Sequence, residues 1–319
     1  MAMADDRRGP GVVVLGSVHM DLIAAADRLP GPGESVGNGV FTRAAGGKGG
    51  NQACQFVLAG GAARMLTRLG DDDFGRFLLH GLEAKGVDTT LVVRDPDAPT
   101  GASTVFVADE DYCSIIAPGA AANLSEADVE AARAAIEAAD ALVLQLELPA
   151  AISAYAAAIA AEAGTRVIFN ASPAPEGVAA LPGALLGATS LLVVNRVEAG
   201  RLLGRGVESA DAEAAVAALS ADLGIGTVVV TLGGEGIVAI QDGIIRRQPA
   251  FAATVVDAVG AGDAFLGTFA TGWLEGMPLD AALCRGAAAG ALAVSRSGVY
   301  DALPDRQSVD RFLAETAAS

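Results

Sequence analysis

The chain has 319 residues, 52% of them apolar, enough to bury a large core and to exclude an intrinsically disordered segment. A formal net charge of -17, with no Lys/Arg run carrying interleaved aromatics, excludes nucleic acid as a partner. No composition shift, internal repeat or long linker marks a boundary, so residues 1–319 read as a single α/β domain.

The amino terminus, MAMADDRRGP, has no apolar run behind its basic residues, and no secretory signal is read there. The first predicted element is the strand GVVVLGS at 11–17. Residues 34–45, ESVGNGVFTRAA, alternate in the manner of a strand. So do residues 100–117, TGASTVFVADEDYCSIIA, around a turn-like DED. Both stretches predict antiparallel ribbons outside the main sheet, a lid drawn from about 17–45 and 100–117.

From residue 125 helices and strands alternate. SEADVEAARAAIEAAD is helical in spacing, with Ser125 followed by Glu126 and Asp128 as a start signal. ALVLQLE is a strand, and PAAISAYAAAIAAEAG is a helix opened by Pro149. The strands RVIFNAS and SLLVVN, the helix DAEAAVAALSADLG and the strand TVVVTLGG follow. Strands alternating with helices predict a mainly parallel sheet covered on both faces, a three-layer α/β/α architecture. The run ATVV at 253–256 reads as one more strand, and DAFLGTFATGWLEG at 263–276 as the helix behind it.

The stretch from Ala179 to Val194 is interrupted by Pro182, Gly183 and Gly187 and falls short of the roughly 20 residues that cross a membrane. No membrane partner is expected, and the cytoplasm is the expected location. Cys54, Cys113 and Cys284 have neither disulfide-framework nor zinc-ligand spacing and read as buried thiols.

In open α/β sheets ligands bind outside the carboxyl ends of the strands. Asp21, Glu147, Asn170, Asn195, Thr231 with Gly233, and Asp263 all follow predicted strands and gather at that edge. Within DAVGAGDAFLG, Gly260 and Gly262 allow a tight turn, and the amides of Gly260, Ala261 and Gly262 open a helix start that attracts anions. Asp263 is either a base for a hydroxyl attacking a phosphoryl group or a helix cap. AAGGKGGNQ is not a Walker loop, since Thr42 stands where the first glycine belongs and Gly49 where Ser or Thr belongs. Gly47, Lys48 and Asn51 suit a polyhydroxylated ligand there, or form a plain glycine turn with a solvated lysine. Asn195 and Glu198 have the spacing of a capping box and could equally hold the water shell of Mg²⁺. His19, two residues before Asp21, is placed at the site, and His80 on a helix surface.

GSVHMD at 16–21, PGPGESV, GGKGGNQ at 46–52, GDDDFG at 70–75, LQLELP at 144–149, NRVE at 195–198, TLGGEG at 231–236 and DAVGAGDAFLG occur in one order along the chain. With these segments the chain resembles the ribokinase-like (PfkB) carbohydrate kinases over essentially its whole length. The resemblance implies ATP-dependent phosphorylation of the primary hydroxyl of a pentose, D-ribose foremost. Deoxyribose, nucleosides and hexoses are the alternatives, and a non-catalytic sugar-binding protein a distant one. It further implies Asp263 as catalytic base and the amides of Gly260, Ala261 and Gly262 as anion hole. Sugar contacts fall on His19, Asp21, Gly47, Lys48, Asn51, Glu147 and Asp263. Nucleotide contacts fall on Asn195, Thr231, Gly233, Gly236 and Gly262, with Glu198 reaching Mg²⁺ through water. A K⁺ site is implied at Asp257, Val259, Ala293, Arg296 and Gly298, and a homodimer through the lid. The chain departs from the family at His19, where Asn is common, and at Ala302, where a hydroxyl ligand of the cation is common.

Overall fold

The computed structural model describes residues 9–108 and 111–317. Residues 1–8 of the amino-terminal stretch, and the first two positions of the DED turn, lie outside them. In chain order the strands are β1 (Gly11–Leu15), β2 (His19–Ala25), β3 (Val40–Gly46), β4 (Ala62–Gly70), β5 (Val92–Asp95), β6 (Thr100–Ala108), β7 (Asp111–Gly119), β8 (Ala141–Leu144), β9 (Arg166–Asn170), β10 (Thr189–Asn195), β11 (Thr227–Thr231), β12 (Ile237–Gln241) and β13 (Ile244–Gln248). The α-helices are α1 (Lys48–Leu58), α2 (Asp73–Ala84), α3 (Glu126–Ala131), α4 (Arg133–Glu137), α5 (Ala150–Ala163), α6 (Gly183–Ala188), α7 (Arg196–Leu203), α8 (Ala212–Leu223), α9 (Ala261–Leu274), α10 (Leu279–Val294) and α11 (Arg306–Ala317).

Nine strands form the central sheet in the order β13-β12-β11-β10-β9-β8-β1-β4-β5, parallel from β11 through β5. The strands are Val/Leu/Ile-rich because both faces are covered. Alternate residues point into two separate cores: Val13, Leu142, Phe169, Leu192 and Val228 pack with α3 to α8. Val12, Val14, Val143, Ile168 and Val229 pack with α1, α2, α9 and α10. This is the α/β/α layering that the alternation predicts. The antiparallel extension β12–β13 turns at Asp242 (φ 50°) and Gly243 (φ 79°), both left-handed as a two-residue hairpin requires.

A second sheet of four strands, β3-β2-β6-β7, stands apart from the first. Its outer pairs are antiparallel, but the central pair β2–β6 is parallel, so it is not built only of antiparallel ribbons. Three expectations change in detail. Of residues 34–45 only the part from Val40 is strand; 34–39 are turn and coil around Asn38 (φ 63°). The run 125–140 is two short helices broken at Ala132 rather than one. The run ATVV at 253–256 forms no strand: no neighbour pairs with it, and Val255 and Val256 are exposed. β-Branched residues favour a strand only where a partner is present.

Candidate functional site

The parallel strands bring their carboxyl ends to one edge, and α1 and α9 meet over it. Their approach depends on glycine: a Cβ on Gly267 of α9 would stand 2.7 Å from Gln55 Cβ of α1. Gln55 clips the pair further, donating from Nε2 to Thr268 Oγ1 (2.9 Å) and to the Pro304 carbonyl (2.9 Å).

This packing buries Asp263 in the first turn of α9, where its relative exposure is 5%. The N-cap is Gly260, left-handed at φ 80°, with no side-chain cap. Asp263 does not cap the helix: its Oδ2 accepts from Asn51 Nδ2 (2.8 Å) and its Oδ1 from Gln52 Nε2 (2.8 Å). Burial pushes the Asp263 carboxyl above its ordinary range, while the Lys48 charge and the Asn51 and Gln52 hydrogen bonds pull it back down. Ala261 N–H donates only at 3.4 Å, to the Ala258 carbonyl, and among the described residues the amides of Gly260 and Gly262 have no protein acceptor. These are the free donors of a helix start.

Around Asp263 lies a cluster of polar side chains. Gly47, the N-cap of α1, has φ 93°, and a Cβ there would stand 2.6 Å from the Ser17 carbonyl oxygen. That close approach lets Lys48 N–H donate to Glu147 Oε2 (2.8 Å), which Ser17 Oγ also reaches. Glu147 follows β8. Its charge acts on His19, Lys48 and Asp263 alike, placing all four around one space. Burial disfavours the Lys48 ammonium, but Asp263, Glu147 and Glu198 outweigh it and its pKa rises. Asp21 lies on β2 of the second sheet rather than at the end of a central strand. It accepts from Ser103 Oγ and contacts His19 Nε2 at 3.2 Å. Asn51 Oδ1 is buried without a partner, an acceptor open to a ligand hydroxyl.

Beyond the amino terminus of α9 lies a cavity of about 560 Å³ lined by Thr231, Gly233, Gly236, Ala261 and Gly262, with the apolar Phe251, Ala253 and Val255. Its wall suits a planar, largely apolar group next to an anion. Asn195 is not on this lining. Asn195 and Glu198 do form the capping box: Glu198 N–H donates to Asn195 Oδ1 (2.9 Å) and Asn195 N–H to Glu198 Oε2 (2.8 Å). Among the described residues no group of three or more His, Cys, Asp or Glu is arranged to hold a metal. The segments around Asp257 and Gly298 do meet, since the amides of Val256 and Asp257 both donate to the Val294 carbonyl (2.7 and 3.2 Å). Asp257 Oδ1 accepts from Val259 N–H (2.9 Å), the Ala293 carbonyl from Arg296 N–H (3.2 Å), and Ala302 is buried. His80 lies on α2, away from these groups.

Sequence reasoning missed Gln52, Gln145, Ser17 and Ser103 as members of the site. Their signal was in the sequence: Gln52 and Gln55 sit three apart on the buried face of α1, where an uncompensated amide would be costly.

The pfkB family carbohydrate kinase model matches residues 10–306. The ribokinase of Haemophilus influenzae is 35% identical over 305 residues, covering 95% of this chain and 98% of that protein. The deoxyribokinase of Salmonella typhi is 30% identical, covering 95% and 98%. The structure of Arabidopsis thaliana ribokinase complexed with ribose and ATP superposes with a TM-score of 0.86 at 31% identity, covering 96% of this chain and 99% of that one. With the family model spanning residues 10–306 and relatives of 30% identity or more covering 95% of its length, the chain belongs to the pfkB family of carbohydrate kinases.

Proposed function

We propose that the protein transfers the γ-phosphate of ATP to the primary hydroxyl of D-ribose, giving D-ribose 5-phosphate. The observation that carries this is Asp263, a buried carboxylate fixed by Asn51 and Gln52 beside the free amides of Gly260 and Gly262. In the step the sugar O–H gives its proton to Asp263, its oxygen bonds to the γ-phosphorus, and the bond to the β-phosphate oxygen breaks, releasing ADP. Such transfers rely on positioning and charge stabilisation. Asp21, Asn51 and Glu147 hold the sugar hydroxyls, with Gly47 giving close access, while Lys48 offsets their negative charge. The amides of Gly260, Ala261 and Gly262 receive the charge on the transferring group, and Thr231, Gly233 and Gly236 the nucleotide.

Mg²⁺ would neutralise the triphosphate, and Glu198 fits its hydrated ion, because it is a buried carboxylate with Oε1 outside the capping box. K⁺ would sit among the Asp257 carboxylate and the carbonyls of Val259, Ala293, Arg296 and Gly298. Ala302 supplies no side-chain oxygen to it, so the expected K⁺ activation is below about tenfold, equivalent to ~1.4 kcal/mol.

The second sheet acts as the lid, since Asp21 and Ser103 bring it to the sugar. Its pairing puts Ile23, Val40, Val105 and Ile116 on the Asp21 face, with Val40 65% and Ile116 60% exposed. An apolar face continuous with the site supports a homodimer formed through the lid. Among the described residues no helix is long and apolar enough to cross a membrane; the cytoplasm is the proposed location.

A coupled ADP-release assay with Mg·ATP over ribose, 2-deoxyribose, fructose and adenosine, each with and without K⁺, tests the reading. Ribose is expected to give the highest kcat/KM. Preference for 2-deoxyribose would move the specificity to His19, whose imidazole cannot match both hydrogen bonds of an amide. Absence of turnover with all four would refute the assignment.

A further inference from the structure

We infer that Gln52 is a positioning residue for phosphoryl transfer: its carboxamide, locked by Gln145 and Asn170, fixes the Oδ1 side of Asp263 and leaves Oδ2, beside Asn51, to receive the sugar proton. This rests on Asp263 being the base.

Gln52 is 1% exposed, and both N–H donors and the carbonyl oxygen of its amide are engaged. Nε2 donates to Asp263 Oδ1 (2.8 Å) and to Asn170 Oδ1 (3.0 Å), while Oε1 accepts from Gln145 Nε2 (2.7 Å). Asn170 is held in turn, donating from Nδ2 to the Val193 carbonyl (3.0 Å). Gln145 follows β8, Asn170 ends β9 and Val193 lies in β10, so the chain of amides is pinned to three adjacent strands. The order admits no alternative. A flipped Gln52 amide would turn Oε1 toward the Asp263 carboxylate and the Asn170 carbonyl oxygen, and its NH₂ toward the Gln145 NH₂.

The two oxygens of Asp263 therefore differ. Oδ1 faces the rigid amide chain. Oδ2 faces Asn51, whose own Oδ1 is buried and unpartnered and so open to the substrate. A donor held on Oδ1 also favours the ionised form of the buried carboxylate against the effect of burial. Gln52 itself lies in the second row behind Asp263 and needs no contact with sugar or nucleotide.

The test compares kcat and KM across pH for the wild type, Gln52→Leu, Gln52→Glu and Asp263→Asn. Gln52→Leu is expected to lower kcat roughly ten- to hundredfold, as displacement of a reacting group does. The KM for ribose should stay within about threefold, the signature of a loss confined to the transition state. The acid limb of the kcat profile should move up by about one pH unit, since the base has lost a donor. Gln52→Glu keeps the shape and the Gln145 contact while placing a second carboxyl beside the base. Its acid limb should move further still, so the inference remains testable if the leucine variant does not fold. An unmoved acid limb in both variants, or a kcat loss matched by an equal rise in KM, would overturn it. Asp263→Asn separates the two claims: turnover retained there removes the base itself, whereas turnover lost there with unmoved Gln52 limbs removes only the role of Gln52.

Discussion

The approach of α1 to α9 is the feature on which the site geometry depends, and Gly267→Ala perturbs it at one point. A Cβ at 267 would meet Gln55 Cβ at 2.7 Å, Gln55 Cγ at 2.8 Å and Phe56 N at 3.1 Å, where ordinary contact begins at 3.4 Å. The helices must separate by about 0.7 Å, because Gln55 Cβ is fixed to the backbone of α1 and cannot swing aside. Gln55 lies one turn from Asn51, and Gly267 one turn from Asp263, so the displacement reaches the 2.8 Å bonds between them. Lengthened by that amount they stand near 3.5 Å, the edge of hydrogen bonding. Overpacking of this kind costs about 1–3 kcal/mol of stability, or a fall in Tm of roughly 2–8 °C. A displacement of this size at the reacting atoms costs roughly ten- to hundredfold in kcat. The assay is thermal unfolding together with ADP-release kinetics. Gly187→Ala in α6 is the control, because a Cβ there meets nothing within 4 Å. A Gly267→Ala enzyme with the control's Tm and a kcat within twofold of wild type would refute the claim that this contact sets the site.

Replacing His19 tests the ion pair in the sugar pocket. Burial disfavours its imidazolium, but the hydrogen bond and charge of Asp21 and the charge of Glu147 outweigh it, so the folded pKa lies above 6.5. The stabilisation is thus full below the unfolded pKa and is lost as pH rises through the folded value. The wild type minus His19→Asn difference in unfolding free energy should therefore grow as pH is lowered from 8.5 to 5.5; a flat difference would contradict the pairing. Of the three cysteines expected to be buried only Cys54 is; Cys113 lies exposed on the second sheet and Cys284 is half-buried, so thiol labelling should reach Cys113 first and Cys284 later. Cys54, fully buried with its thiol pushed up to about 12, reacts only on unfolding. Rapid labelling of Cys54 in the native enzyme would contradict its packing. K⁺ should raise kcat by less than about tenfold, and Ala302→Ser should increase the response if the cation sits beside residue 302.

The parallel strands were legible because burial on both faces leaves a continuous apolar run, as in GVVVL and TVVV, bounded by polar residues at the site edge. ATVV has the same composition but no neighbouring strand, and only the tertiary arrangement reveals that. The β12–β13 hairpin carried a readable signal, Asp242-Gly243 between apolar runs, that the pattern of alternating helices obscured. Asp263 was legible as a residue of interest, but whether it caps α9 was not. That distinction required its partners on α1, more than 200 positions away in the chain. For NRVE the capping box is present, and Glu198 also raises Lys48, so local and long-range roles share one side chain.

The central claim is that Asp263 removes the proton of the sugar hydroxyl. The direct measurement is the turnover of Asp263→Asn with Mg·ATP and ribose, beside ribose binding by calorimetry. Asparagine keeps the size and one acceptor but not the basicity. Loss of a general base typically costs about 10²–10⁴-fold in rate, so kcat should fall by that factor while the ribose Kd stays within about threefold. A kcat within tenfold of wild type, or a loss fully accounted for by weaker ribose binding, would contradict the account.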